Sequence, residues 1–283
     1  LHTLKFSKMF PKQSFLVILC FSLCFISCQM DTDVLVSSEL MDDDPVIGEN
    51  NSIARNDSVA ERDSIAQLDS ILVFSKTVGF RHSSISKGIE TLRILGDDNG
   101  FAVIDSEDEA QFNSENLKKF ALVVFLNTTG DVLNSGQEEA FQDYIRSGGS
   151  FMGIHSASDT EYDWPWYGQL LGAYFNGHPD IQEATLDVRD NSHSSSEHLS
   201  AQWTRSDEWY NFKSISPSIK VILSLDESSY QRGTNGDNHP IAWYQEFEGG
   251  RSFYTGGGHT DVAYDEPDFI QHLLGGIKYC LGR

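Results

Sequence analysis

Six consecutive apolar residues, Ala121-Leu-Val-Val-Phe-Leu126, leave no polar face in the middle of the chain. A strand with one side in water alternates apolar and polar residues, whereas an unbroken, β-branched run of this length belongs to a strand buried on both faces. Burial on both faces requires helices above and below, and this requirement governs how the flanking chain is read. Ile71-Leu-Val-Phe-Ser75, Phe101-Ala-Val-Ile-Asp105 and Ser150-Phe-Met-Gly-Ile154 are further short strand candidates. Between them, Ile89, Leu92 and Leu95 fall at helical spacing, predicting a helix that begins at Ile85 and stops at Asp98-Asn99-Gly100. A second helix is expected from about Ser135 to Arg146. Strands alternating with helices imply βαβ units, hence an α/β fold with a mostly parallel central sheet and helices on both faces. After Leu170 come strand-like, aromatic-rich segments (Ala184–Val188, Val221–Leu225, Ile241–Tyr244 and Ser252–Thr255), then a last helix from about Asp268 to Leu281. These read as an elaboration of the same sheet, so residues 70–283 are expected to form one domain.

The chain before Ser70 has a different character. Lys8 and Lys12 precede an apolar run from Phe15 to Ser27, the length of a signal-peptide core and too short to span a bilayer. It ends Phe25-Ile26-Ser27-Cys28, which resembles a lipobox with Phe where Leu is usual. Residues 1–28 are therefore expected to be a lipoprotein signal peptide, with Cys28 acylated; an ordinary cleaved signal peptide is the alternative. The expected location is that of an exported, membrane-anchored lipoprotein on the periplasmic or cell-surface face. From Asp31 to Asp69 there are 11 acids against Arg55 and Arg62. A period-six repeat (Asn51-Ser-Ile-Ala-Arg-Asn, Asp57-Ser-Val-Ala-Glu-Arg, Asp63-Ser-Ile-Ala-Gln-Leu) runs through it. Six matches neither helix nor strand, so residues 29–69 read as an acidic, solvated tether, with a short coiled-coil stalk as the minority alternative.

Charge and cysteine usage narrow the function. The formal net charge is −22, and all three lysines of residues 1–28 lie in the expected leader, which leaves 17 of the 20 basic residues against 42 acidic ones. Such a surface repels polyphosphate, so nucleic acid is excluded as a partner and a neutral small molecule such as a sugar is favoured. Three cysteines sit in the leader and the fourth is Cys280, so nothing between Gln29 and Tyr279 can act as a thiol nucleophile.

In open α/β sheets ligands gather beyond the carboxyl ends of the strands. Three loops there each carry one histidine beside glycine: Gly79-Phe-Arg81-His82-Ser83, Gly153-Ile-His155-Ser-Ala157 and Gly256-Gly-Gly-His259. The second has the form of a strand-to-helix elbow, in which the third residue projects from the top of the sheet. Cysteine or serine there would indicate acyl transfer, whereas His155 suits an acid, a base or a metal ligand. His82, His155 and His259 are the candidate catalytic residues, with Asp207 or Glu208 as carboxylate partner. The three histidines are equally candidate ligands for a divalent metal such as Zn²⁺. Candidate substrate-binding residues are Arg81, Asp159, Trp164, Trp166, Tyr167, Trp209 and Tyr210, since aromatic faces suit the C–H faces of sugars. These aromatics, with Trp203 and Trp243, can equally well be core. His178 is either a ligand or a turn-shaping residue before Pro179. His193 and His198 lie in a Ser-rich stretch and read as exposed, while His272 reads as structural. The three consecutive glycines lack the lysine and spacing of a phosphate loop.

Several blocks together resemble the ThuA-like (trehalose-utilisation) family. They are Gly148-Gly-Ser-Phe-Met-Gly-Ile-His-Ser-Ala-Ser-Asp-Thr160, Trp164-Pro-Trp-Tyr-Gly168, Asn176-Gly-His-Pro179 and Asp207-Glu-Trp-Tyr-Asn-Phe212. His239-Pro-Ile-Ala-Trp243 and Gly249-Gly-Arg-Ser-Phe-Tyr-Thr255 through His259 complete the set. The resemblance runs from about Ile71 to the C-terminus. It implies a flavodoxin-like, class I glutamine-amidotransferase-like sheet without the catalytic cysteine, and a role in disaccharide or keto-sugar catabolism. Two functions follow as expectations: an enzyme using histidine acid–base or metal-assisted chemistry, or a non-catalytic carbohydrate-binding surface lipoprotein.

Overall fold

The computed structural model describes residues 69–283. The expected signal peptide, Cys28 and all of the tether up to Leu68 lie outside the described residues.

Nine strands form one sheet in the order β2-β1-β3-β4-β11-β10-β9-β6-β7. Its first half is parallel: β2 (Phe101–Ser106), β1 (Asp69–Phe74), β3 (Leu122–Leu126), β4 (Ser150–Ile154) and β11 (Gly250–Thr255). The second half continues it with antiparallel neighbours: β10 (Pro240–Phe247), β9 (Lys220–Leu225), β6 (Gln182–Val188) and β7 (Gln202–Asp207). A small pair, β5 (Tyr174–Phe175) with β8 (Phe212–Lys213), lies apart from this sheet. All five β3 residues are buried, as the unbroken apolar run requires.

The helices form where local chemistry starts and stops them. Helix α1 (Ile85–Asn99) ends at Gly100, whose φ of 71° is the left-handed conformation that closes a helix without a Cβ penalty. After α2 (Ser114–Leu117), helix α3 (Ser135–Arg146) opens with a capping box between Asn134 and Gln137. Helix α4 (Pro165–Leu171) starts with proline in its first turn, as does α5 (Pro267–Leu281). Helices α1 and α5 both pack on the turn at Asp261–Asp265, and α2 packs on α3. One aromatic cluster, Phe125, Phe141, Phe151, Trp164 and Tyr167, ties α3 and α4 to the parallel strands. No helix among the described residues is long and apolar enough to cross a membrane.

The Ser-rich stretch is the main departure on the helical side. His193 is buried, its ring packed against Tyr244, Phe253 and Tyr279, because Ser194 and Ser195 press against Gly275 of α5. His272 is fully buried, as expected, and its Nδ1 lies 2.8 Å from the Ser195 carbonyl.

Candidate active site

The site is built at the carboxyl edge of the parallel strands. His82 comes from the loop after β1, His155 from the end of β4 and His259 from the loop after β11. Strands β4 and β11 are neighbours about 5 Å apart, so His155 and His259 can meet, while the loop after β1 carries His82 past the intervening β3. They do meet: ring centroids are 4.8 Å apart for His82 and His155, 5.0 Å for His82 and His259, and 5.1 Å for His155 and His259. Glu208, just past β7, completes the group, and one ligand atom from each of the four side chains lies within 4.8 Å of the others.

His155 holds its place at a cost. It has a φ of 49° in the elbow between β4 and the 3-10 turn His155–Asp159, a conformation that strains a non-glycine residue by about 1–3 kcal/mol. Its Nδ1 is 2.9 Å from the carbonyl of Gly256, which can only accept. Nδ1 therefore carries a proton, and Nε2 faces inward. There it meets His259 Nδ1 at 3.1 Å and Glu208 Oε2 at 3.6 Å, and the latter two are themselves 3.1 Å apart. His82 Nδ1 lies 3.3 Å from the Ser156 hydroxyl. Behind the group, the Tyr210 ring packs on His155 at 4.2 Å, and buried His239 fixes Tyr210 by donating from Nε2 to its carbonyl at 2.8 Å.

Electrostatics follow from burial and crowding. Burial, with His155 and His259 adding repulsion, lowers His82 to about 3, so it is a neutral imidazole with an available lone pair. Burial pushes the Glu208 carboxyl up, but its contacts with His155 and His259 outweigh that and hold it well below the usual range. His259 moves up on balance, since the Glu208 hydrogen bond and charge together exceed the opposing effect of burial. Glu208 Oε1 also contacts His178 Nδ1 at 3.1 Å, with the His178 side chain 40% exposed at the mouth of the site.

The other sequence candidates divide sharply. Asp207 does not face the site. Fully buried, it accepts from Arg205 Nη1 (2.8 Å) and from the backbone N–H groups of Glu208, Gly258 and His259 (2.9, 2.8 and 3.2 Å), and so anchors the loop that carries His259. Gly258 takes a φ of 107° there, and a Cβ would meet the Tyr264 hydroxyl at 2.8 Å, so the glycines serve close packing. Trp164, Tyr167 and Trp209 are buried and belong to the core, as do Trp203 and Trp243. The Tyr167 hydroxyl braces the elbow from below by donating to Ala157 O at 2.7 Å, and Trp209 Nε1 donates to Gln182 O at 2.8 Å. Trp166 bonds Glu248, between β10 and β11 at the opposite, amino edge of the parallel strands. Arg81 is exposed and paired with Glu107 at 2.6 Å rather than with the histidine group. Tyr210 lines the site, and Asp159, raised by burial, follows His155 in the same 3-10 turn and accepts from Tyr162 at 2.7 Å. His178, left undecided between ligand and turn by the sequence, joins the site through Glu208. The sole cysteine among the described residues, Cys280, is buried in α5 with its Sγ 3.4 Å from Phe151 O, away from the elbow.

Fold and site together define an α/β protein of class I glutamine-amidotransferase-like architecture whose elbow carries histidine and whose strand ends gather three imidazoles and one carboxylate. A family profile described as trehalose utilisation (ThuA) matches residues 70–280, and the chain belongs to that family. This gives it a carbohydrate-related role. Among solved structures, a ThuA-like protein from Bacteroides uniformis is 21% identical with a TM-score of 0.65, over 75% of this chain and 91% of that one. A ThuA-like protein from Parabacteroides merdae is 19% identical with a TM-score of 0.64, over 76% and 90%. A β-galactosidase from Bacillus circulans is 13% identical with a TM-score of 0.50, over 76% of this chain and 31% of its own. At these identities the likeness is one of fold. A search of curated proteins returned no match.

Proposed function

We propose that this chain is an enzyme of disaccharide or keto-sugar breakdown whose reacting centre is His82, His155, Glu208 and His259. The observation that carries the reading is the convergence at the elbow. An imidazole tied through Nδ1 to Gly256, a second imidazole and an ionised carboxylate meet within 3.1–3.6 Å. A proton on His259 Nδ1 can be shared with Glu208 and His155, and the same spacing admits a divalent ion. Ligands around a tetrahedral Zn²⁺ stand about 3.3 Å apart, so the spacing suits a divalent transition ion. The donor set, imidazoles plus carboxylate, fits the same class, and the Gly256 and Ser156 contacts are the outer hydrogen bonds that orient ligating histidines.

An ion held there would polarise a carbonyl or hydroxyl oxygen of the sugar. The protein's own part is to orient and to move protons. Tyr210 walls the back of the centre, and His178, exposed and tied to Glu208 Oε1, is placed to exchange a proton with substrate or solvent. Such an arrangement serves proton abstraction beside a carbonyl, as in isomerisation or elimination, or hydrolysis. We also propose that the chain is exported and held at the membrane through Cys28.

Elemental analysis of the purified chain, beside turnover of trehalose and its keto derivative, tests the centre. About one divalent ion per chain is expected, lost in each of His82→Ala, His155→Ala and His259→Ala, with turnover reduced by roughly two to four orders of magnitude. Turnover that depends on the histidines without any metal would select the acid–base form. If all three variants hold metal and process sugar like the parent, the proposal fails and the carbohydrate-binding alternative replaces it.

A further inference from the structure

Beside the centre, large apolar side chains stand in water on a backbone that is tightly held. Phe80 is 66% exposed and Val78 is 62% exposed, both in the loop between β1 and α1. An exposed phenyl ring forgoes burial, and a mobile loop would fold it down. Hydrogen bonds prevent that. Val78 N and Gly79 N donate to Thr129 O at 2.8 and 3.4 Å, and the Thr129 hydroxyl donates to Phe80 O at 2.9 Å. The Phe80 ring meets the edge of His82 with centroids 4.8 Å apart. It is a fixed wall next to one imidazole of the centre.

On the Tyr210 side of the centre the side chains are also aromatic, but carry charge. Phe175 packs on Tyr210 at 4.3 Å, and Tyr162, 37% exposed, places its hydroxyl 2.7 Å from Asp159 Oδ1. The Lys213 ammonium lies 4.6 Å from the Tyr162 ring centroid. A pyranose has the complementary surface: weakly apolar C–H faces that stack on aromatic rings, and hydroxyls that bond to carboxylate and ammonium groups.

We propose that Phe80 is the stacking platform for one ring of a neutral disaccharide, and that Tyr162, Asp159 and Lys213 bind its hydroxyls from the Tyr210 side of the centre. The proposal rests on the carbohydrate reading above. A neutral ligand also fits the net charge of −22, which disfavours anionic ones.

The test is calorimetric titration of the full chain with trehalose and, in parallel, cellobiose. Phe80→Ala is expected to weaken binding of whichever sugar the parent takes by about tenfold, and Phe80→Trp to keep it within about threefold. Metal content and melting temperature should stay at the parent's values in both, since Phe80 is neither a ligand nor part of the core. Lys213→Ala should weaken binding by about threefold or more. Unchanged affinity in Phe80→Ala, with the parent binding sugar, overturns the platform and leaves the carbohydrate reading standing. If sedimentation instead shows that Phe80→Ala converts a dimeric parent to monomer while its sugar affinity holds, the wall is an interface between copies, and the platform is overturned. A parent that binds neither sugar removes both the carbohydrate reading and the platform.

Discussion

Replacing Asp207 with alanine separates a catalytic carboxylate from a structural one. Its carboxylate accepts from Arg205 and from three backbone N–H groups, and the residue is fully buried. Breaking a buried ion pair costs about 3–5 kcal/mol when the partner is left unpaired. Arg205 keeps Glu266 at 2.7 Å, which offsets part of that. The three freed N–H groups add about 1–3 kcal/mol each if water cannot reach them, and a cavity the size of a carboxylate admits some. The lower ends of these terms come to about 6 kcal/mol, and the retained Glu266 pair and entering water reduce this to a net loss of about 4 kcal/mol. At about 2–4 °C per kcal/mol for a domain of this size, the melting temperature should fall by roughly 8–16 °C. Because the Gly258–His259 backbone loses its anchor, metal retention should fall as well. Glu208→Gln is the contrast: its side chain borders the mouth, so melting should shift by no more than a few degrees while metal content and turnover collapse. Differential scanning calorimetry and elemental analysis on both variants give the answer. If Asp207→Ala melts with the parent yet loses turnover, Asp207 is a catalytic residue and the structural assignment is wrong.

Three further outcomes are expected. His155→Gly relieves the positive φ, so it should melt within a few degrees of the parent and above His155→Ala, while both lose metal; equal melting of the two would deny the strain. Burial lowers His272 to about 3 from an ordinary 6.5, so the unfolded chain takes up the proton first as pH falls. The stability held above pH 6.5 is then lost progressively down to about pH 3, on the order of several kcal/mol, and His272→Phe should flatten that limb of a melting-temperature profile. A profile equally steep in the variant would assign the loss to other groups. Finally, Cys28→Ala should abolish fatty-acid labelling and release the protein from the detergent-extracted membrane fraction, and unchanged labelling would rule out the anchor.

Helices α2 and α4 are too short for a helical period to show, and only the structure sets β11 parallel to β4. The sequence by itself determined strands β1 to β4, helices α1, α3 and α5 and the loops that hold the histidines. Those are local matters: an apolar run such as Leu122–Leu126 has one way to be buried, and the Gly100 and Asn134 signals act within a turn of where they stand. Strand β7 was not legible, because its inward residues are Trp203, Arg205 and Asp207, and two charges at buried positions erase the apolar alternation. The same fact explains the carboxylates. Asp207 and Glu208 look alike in sequence, but successive residues of an extended chain point to opposite sides. Asp207 goes inward to Arg205, and Glu208 turns to the histidines. The tryptophans and His193 carry no local mark of whether a neighbour will cover them. Helix α4 against Phe141 and Phe151, and α5 over the Ser194–Ser195 backbone, made that choice. Phe80 is the converse: only the Thr129 hydrogen bonds, formed between loops 50 residues apart, keep an apolar ring in water beside the site.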